Sequence, residues 1–90
     1  MIKKVIKLSA SWCVPCKAYA KIFEEVGNNE EFKDILFEDV DIEENNDIAE
    51  KYKIRSVPTT LFFDENDNVI QKVSGMQTKN NLEEMLKGNF

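Results

Sequence analysis

Residues 3–9, KKVIKLS, run straight into ASWCVPCK, so a short Val/Ile/Leu-rich stretch ends a few residues before two cysteines spaced three apart. A run that short and apolar, followed by a break, reads as a buried strand over Lys3 to Ser9. Beyond the first cysteine, Tyr19, Ile22, Phe23 and Val26 recur at i, i+3, i+4 and i+7. That spacing is one face of a helix starting near Cys13, with Gly27 as a residue to end it. Ile35 to Asp41 reads as a second strand. A strand, a crossover helix and a second strand in one sheet close with right-handed parallel pairing. The pattern restricts the chain to a small set of α/β folds and puts both cysteines where a strand ends and a helix begins, the place where ligand chemistry gathers in such sheets.

The remainder completes a mixed sheet. Asp47 to Lys53 reads as a short helix opened by Asp47 with Glu50 three residues on, a capping-box-like pair. Thr59 to Phe63 is a third strand, and the polar DENDN at 64–68 is a turn into a fourth, Val69 to Ser74, making a hairpin. A last helix runs from Lys79, capped by Thr78, to Lys87, with Leu82, Met85 and Leu86 inward and Gly88 at its end. The order βαβ, α, ββα is an α/β fold, a four-stranded mixed sheet with helices on both faces. Residues 1–90 are expected to form one domain. A chain of this length buries about 60–65 % of its unfolded surface, and no linker, repeat or low-complexity segment divides it.

Charge narrows the function. With 12 Lys and Arg against 17 Asp and Glu, the net charge is −5, which speaks against nucleic acid as a partner. The charge is unevenly spread: residues 1–21 hold five lysines and no acids, whereas residues 22–50 hold twelve acids and one lysine. The acidic middle reads as a solvated surface, with a face that steers a basic partner as the alternative. MIKKVIKLSASW is not expected to act as a signal peptide, because Lys7 interrupts its apolar run. No stretch approaches a membrane span. Two cysteines and no export signal imply a reducing cytoplasm, where Cys-x-x-Cys is catalytic or metal-binding rather than structural.

Three uses of the cysteine pair compete. Zinc wants four Cys or His ligands, and two thiols with no histidine leave only a metal shared between subunits. A structural disulfide across two residues closes too small a loop to restrict the unfolded chain much. Redox chemistry fits better. A cysteine at a helix start meets unsatisfied backbone N–H groups and the positive end of the helix dipole, so its pKa falls below about 8.5. Cys13 is then the exposed nucleophile, and Cys16, one turn in, attacks the mixed disulfide that Cys13 forms. Pro15 is tolerated in the first turn, where an N–H has no helical acceptor. Cys-x-x-Cys beside a βαβ pattern is itself a redox signature.

WCVPCK at 12–17, VPT at 57–59 opening a strand, and a lone Gly75 late in the chain resemble the thioredoxin family over nearly the whole length. The resemblance implies a minimal thioredoxin fold and a protein-disulfide reductase working by dithiol exchange through Cys13 and Cys16, without cofactor or metal. It implies Trp12 at the rim beside the sulfur, against the plain alternative of a core tryptophan. It also implies a cis Val57-Pro58 bond packed against the cysteines, with the Val57 backbone offering strand-like hydrogen bonds to substrate and Gly75 in the same substrate-binding set. Lys17 is either solvated or helps to hold negative charge near the thiols. The partners implied are a thioredoxin reductase-like electron donor and disulfide-containing proteins, ribonucleotide reductase among them by analogy, for a cytoplasmic monomer.

Three departures from the family pattern matter. The chain begins at the strand leading into the cysteines, without the strand and helix that thioredoxins carry before it, and is closer in size to glutaredoxins. A glutathione-coupled glutaredoxin-like reductase is therefore one alternative, although Val14-Pro15 and a single Gly75 replace that family's Pro-Tyr and Gly-Gly. A thioredoxin-fold binding module with no redox role is the other. Next, Val14 stands where glycine is usual; it stiffens the first turn and bears on the redox potential, where about 30 mV is worth roughly 1.4 kcal/mol. Last, Lys7 sits six residues before Cys13, where the family buries an aspartate, and Asp39 takes the place of the family's lysine on the next strand. Two unpaired buried charges would be costly but a close pair is tolerable. The expectation is a partly buried Lys7–Asp39 pair behind the active site, one member relaying a proton to or from Cys16. The alternative is that both face solvent.

Overall fold

The computed structural model describes residues 1–90. The chain forms β1 (Lys4–Ser9), α1 (Val14–Gly27), β2 (Leu36–Asp41), α2 (Asn46–Lys51), β3 (Thr59–Phe63), β4 (Val69–Ser74) and α3 (Lys79–Leu86), with one 3-10 turn at Glu30–Phe32. The four strands make a single sheet in the order β2-β1-β3-β4. β1 and β2 are parallel, and β3 is antiparallel to both β1 and β4.

Alternation of side chains along the strands builds two cores. Val5 of β1 and Phe62 of β3 face Tyr19, Phe23 and Val26 of α1 and Leu82, Met85 and Leu86 of α3. Ile6, Leu8, Leu61 and Phe63 point the other way, against Ile48 and Tyr52 of α2. The sheet is thus covered on both faces, by α1 and α3 on one and by α2 on the other.

The helix ends differ in detail from the sequence expectation. Gly27 is the last residue of α1 but does not turn left-handed; Asn28 is the cap, in a right-handed conformation. Gly27 instead permits close approach, since a Cβ there would lie 3.3 Å from the Phe37 ring. The capping box of Asp47 and Glu50 is not formed. The helix starts one residue earlier, Asn45 caps it without a side-chain bond, and Glu50 accepts from Asn46 Nδ2 at 3.1 Å. Asp47 keeps a favourable place in the first turn, near the positive helix end. In α3, Thr78 Oγ1 accepts the N–H of Asn81 at 3.1 Å, and Gly88 takes a φ of +93° just past the end. The hairpin turn is organised by Asp64, whose carboxylate accepts the N–H groups of Asn66 and Asn68 at 2.8 and 3.0 Å. The Asn68 N–H, with that of Asn66, holds the Asp64 carboxyl below the usual carboxylate range. No helix is long and apolar enough to cross a membrane.

Candidate active site

The end of β1, the start of α1 and the loop before β3 converge on the cysteines. The Ala10 carbonyl accepts the N–H of Cys13 at 3.1 Å, closing a turn that delivers Cys13 to the mouth of α1. Cys13 is extended and serves as N-cap, with its Sγ accepting the backbone N–H of Cys16 at 3.2 Å. This is the bond that a capping serine or aspartate makes, with sulfur in place of oxygen. Pro15 lies in the first turn, where a missing N–H leaves nothing unpaired. Cys13 and Cys16 are joined in a disulfide with their Cα atoms 5.2 Å apart.

Cys13 is not the exposed sulfur that its place at the helix start suggests. Its exposure is 4 %, against 2 % for Cys16, because Ala10 packs with the pair and Ile42 and Val57 lie against them. The surface around the sulfurs belongs to other residues: Trp12 is 65 % exposed, and Val14, Pro15 and Lys17 are open as well. Trp12 is therefore a rim residue and not part of the core.

The Val57-Pro58 bond is cis and Pro58 is buried. The Val57 carbonyl oxygen lies 3.7 Å from Cys13 Sγ. Two bonds fasten this loop. Thr59 Oγ1 donates to the Ser56 carbonyl at 2.7 Å, and the Gly75 N–H donates to the Pro58 carbonyl at 2.8 Å. Gly75 has a φ of +88°, a left-handed backbone that favours glycine.

Beneath the cysteines, on the α1 face of the sheet, Lys7 and Asp39 are register partners across β1 and β2. Lys7 Nζ lies 3.0 Å from Asp39 Oδ2, and Ser9 Oγ donates to Asp39 Oδ1 at 2.8 Å. The Lys7 side chain is almost wholly buried, whereas that of Asp39 is half exposed. Lys7, Asp39 and Cys16 line one open cleft of about 350 Å³, together with Ser9, Lys17 and Asp41. Across β3, Lys7 is opposite Thr60, whose Oγ1 bonds the Tyr19 hydroxyl at 2.8 Å. Burial pushes the Tyr19 phenol above its usual range, against an opposing pull from the Thr60 bond. Sequence reading missed Ser9 as a partner of Asp39, the Tyr19–Thr60 bond and the placing of Ile42 against the sulfurs; a hydroxyl in a strand gives no sign of what it will face. The chain brings together no group of three or more His, Cys, Asp and Glu with metal-binding geometry, and two thiols alone leave a tetrahedral zinc site half filled.

Comparison with known proteins agrees with this geometry. The family model described as Thioredoxin matches residues 2–88. A thioredoxin of Mycoplasmoides gallisepticum is 42 % identical over 85 residues, covering 94 % of this chain and 82 % of its own length. One from Staphylococcus epidermidis is 40 % identical over 84 residues, covering 92 % and 78 %. Among solved structures, the thioredoxin of Malassezia sympodialis superposes with a TM-score of 0.85 at 31 % identity, over 96 % of this chain and 73 % of that one. The Cys-x-x-Cys disulfide capping a helix, a neighbouring cis proline and relatives of this similarity lead to one conclusion: the chain belongs to the thioredoxin family and is a thiol-disulfide oxidoreductase working by dithiol exchange, with a reductase-type donor and protein disulfides as its partners.

Proposed function

We propose that Cys13 is the attacking thiolate and Cys16 the resolving thiol. In the first step Cys13 Sγ attacks one sulfur of a protein disulfide, the substrate's S–S bond breaks, and its other sulfur leaves as a thiolate. Cys16 then loses its proton and attacks Cys13 Sγ, so the mixed disulfide breaks, the substrate leaves fully reduced and the Cys13–Cys16 bond forms. Two electrons pass to the substrate, and a thioredoxin reductase-like donor restores the dithiol. The observation that carries this assignment is the Cys16 N–H aimed at Cys13 Sγ, a donor that stabilises charge on the first sulfur and has no counterpart on the second.

The neighbours take supporting roles. Trp12, Val14 and Gly75 shape the rim, Lys17 adds positive charge beside it, and Pro15 fixes the first turn. The Val57 backbone beside Pro58 receives the substrate segment in strand-like pairing. Lys7 presents a positive charge toward the cleft that Cys16 lines, and Asp39, open to water, relays the proton that Cys16 gives up. The working form is a cytoplasmic monomer in which residues 1–90 act as one domain, and ribonucleotide reductase is one substrate to test. A Cys16→Ser protein is expected to trap substrates as mixed disulfides while Cys13→Ser traps none. The opposite result reverses the assignment. Turnover with NADPH and thioredoxin reductase, compared with glutathione and its reductase, separates this reading from the glutaredoxin-like one.

A further inference from the structure

A second cleft lies beside the Val57-Pro58 loop, just past the end of α2. Lys53, Arg55 and Lys72 line it with the hydroxyl-bearing Ser56, Thr59 and Ser74, around a volume of about 350 Å³, and no Asp or Glu is among the lining residues. None of the three cations takes part in any of the seven ion pairs. Lys72 Nζ donates only to the Tyr52 carbonyl, at 3.4 Å. Lys53 holds a φ of 55°, the left-handed position just past the end of α2, where its N–H donates to the Glu50 carbonyl at 3.2 Å and the Ile54 N–H donates to the Ala49 carbonyl at 2.8 Å.

The cleft is within reach of the chemistry. Arg55 is two residues from Val57, whose carbonyl lies 3.7 Å from Cys13 Sγ, and two residues span at most about 7 Å. Ser74 precedes Gly75, which bonds the Pro58 carbonyl. A segment lying along Val57 with its reacting cysteine at Cys13 therefore brings residues two or three positions away to the Arg55 end of this cleft.

We infer that this cleft receives the carboxylates of a disulfide-bearing protein segment, so that the enzyme prefers disulfides flanked by Asp or Glu. The inference rests on the docking along Val57 proposed above. The net charge of −5 repels an acidic partner at long range, a repulsion that salt screens within about 8 Å at physiological strength. Close contact with three unpaired cations acts in the opposite sense, and the result is selectivity between substrates more than affinity for all of them.

The test uses two synthetic peptide disulfides that differ only in flanking residues, Glu in one and Gln in the other. The reduced protein converts each to a dithiol and itself becomes the Cys13–Cys16 disulfide, and the second-order rate constant is read from the fluorescence of Trp12, the single tryptophan. The wild type is expected to favour the Glu peptide by about five- to tenfold, the combined effect of a few exposed ion pairs. The preference should be lost in a Lys53→Gln, Arg55→Gln, Lys72→Gln protein. A variant of equal net charge, Lys3→Gln, Lys21→Gln, Lys33→Gln, should keep it. Equal rates for the two peptides in the wild type, or equal loss in both triple variants, overturns the cleft assignment and leaves the exchange mechanism standing. Reduction of neither peptide overturns the mechanism and this inference with it.

Discussion

Lys7 Nζ and Asp39 Oδ2 stand 3.0 Å apart across the parallel strands β1 and β2, with the lysine buried and the aspartate half in water. The pair is therefore asymmetric. Removing the carboxylate strands an ammonium in the interior, whereas removing the lysine releases a carboxylate that water already reaches. Asp39→Asn is expected to lose about 1–3 kcal/mol of stability, less than a fully enclosed pair would. Lys7→Met should be near neutral, because an apolar side chain of similar volume fills the site. Urea denaturation of both single variants and the double variant reads this directly, and the double should resemble Lys7→Met.

The role proposed above for the same lysine has a kinetic test. On that proposal its positive charge, at the cleft that Cys16 lines, favours the thiolate forms during exchange. Single-turnover reduction of a peptide disulfide by Lys7→Met is expected to need a higher pH to reach its plateau than the wild type. Superimposable pH–rate curves would remove Lys7 from the mechanism, and the stability data above would show that the variant is folded.

Cys13 accepts the Cys16 N–H at 3.2 Å, and this bond holds in a Cys16→Ser protein because the donor is backbone. Alkylation of Cys13 in that variant is expected to follow a midpoint below the ordinary thiol value of about 8.5. In Cys13→Ser, Cys16 has no such donor and is itself buried, so it should react more slowly at every pH. The rates of iodoacetamide modification, followed by mass, check both.

Tyr19 links pH to stability through its burial. Its folded-state phenol titrates above the ordinary value of 10.0 because desolvation disfavours the charged form, with the Thr60 bond opposing. A raised folded pKa means that the native state holds its proton more tightly than the unfolded chain. The contribution is fully present below about pH 10 and declines as the pH rises beyond it. Tyr19→Phe removes a titrating group from the interior and should flatten the alkaline limb of the stability curve relative to wild type. Lys4, Lys79 and Lys87, raised by their carboxylate partners, lose stability over a similar range. They are common to both proteins and cancel in the comparison.

Local pattern was enough for most of the architecture. β3 and β4 have the bounds their Val/Ile/Phe runs and the DENDN turn predict, and α3 lies between its Thr78 cap and Gly88 as read. Each of those signals acts within a few residues of chain. The start of α2 was misread because EENND offers several capping residues in a row, and propensity does not choose among them. The cysteines at a helix mouth were legible for the same local reasons, from Pro15 and the apolar spacing behind them.

Residues far apart in the chain decided the rest. The burial of Cys13 comes from Ile42 and Val57, and the latter is separated from it by 44 positions. Lys7 and Asp39 looked odd in their strands, but only the register of β1 on β2 sets one charge against the other and lets Ser9 hold the second oxygen. The cleft of Lys53, Arg55 and Lys72 is assembled from a loop and the far strand of the sheet, and nothing in either segment announces it. Periodicity reports which way a side chain points along its own element; what it meets there follows from loop closure and packing of the whole chain.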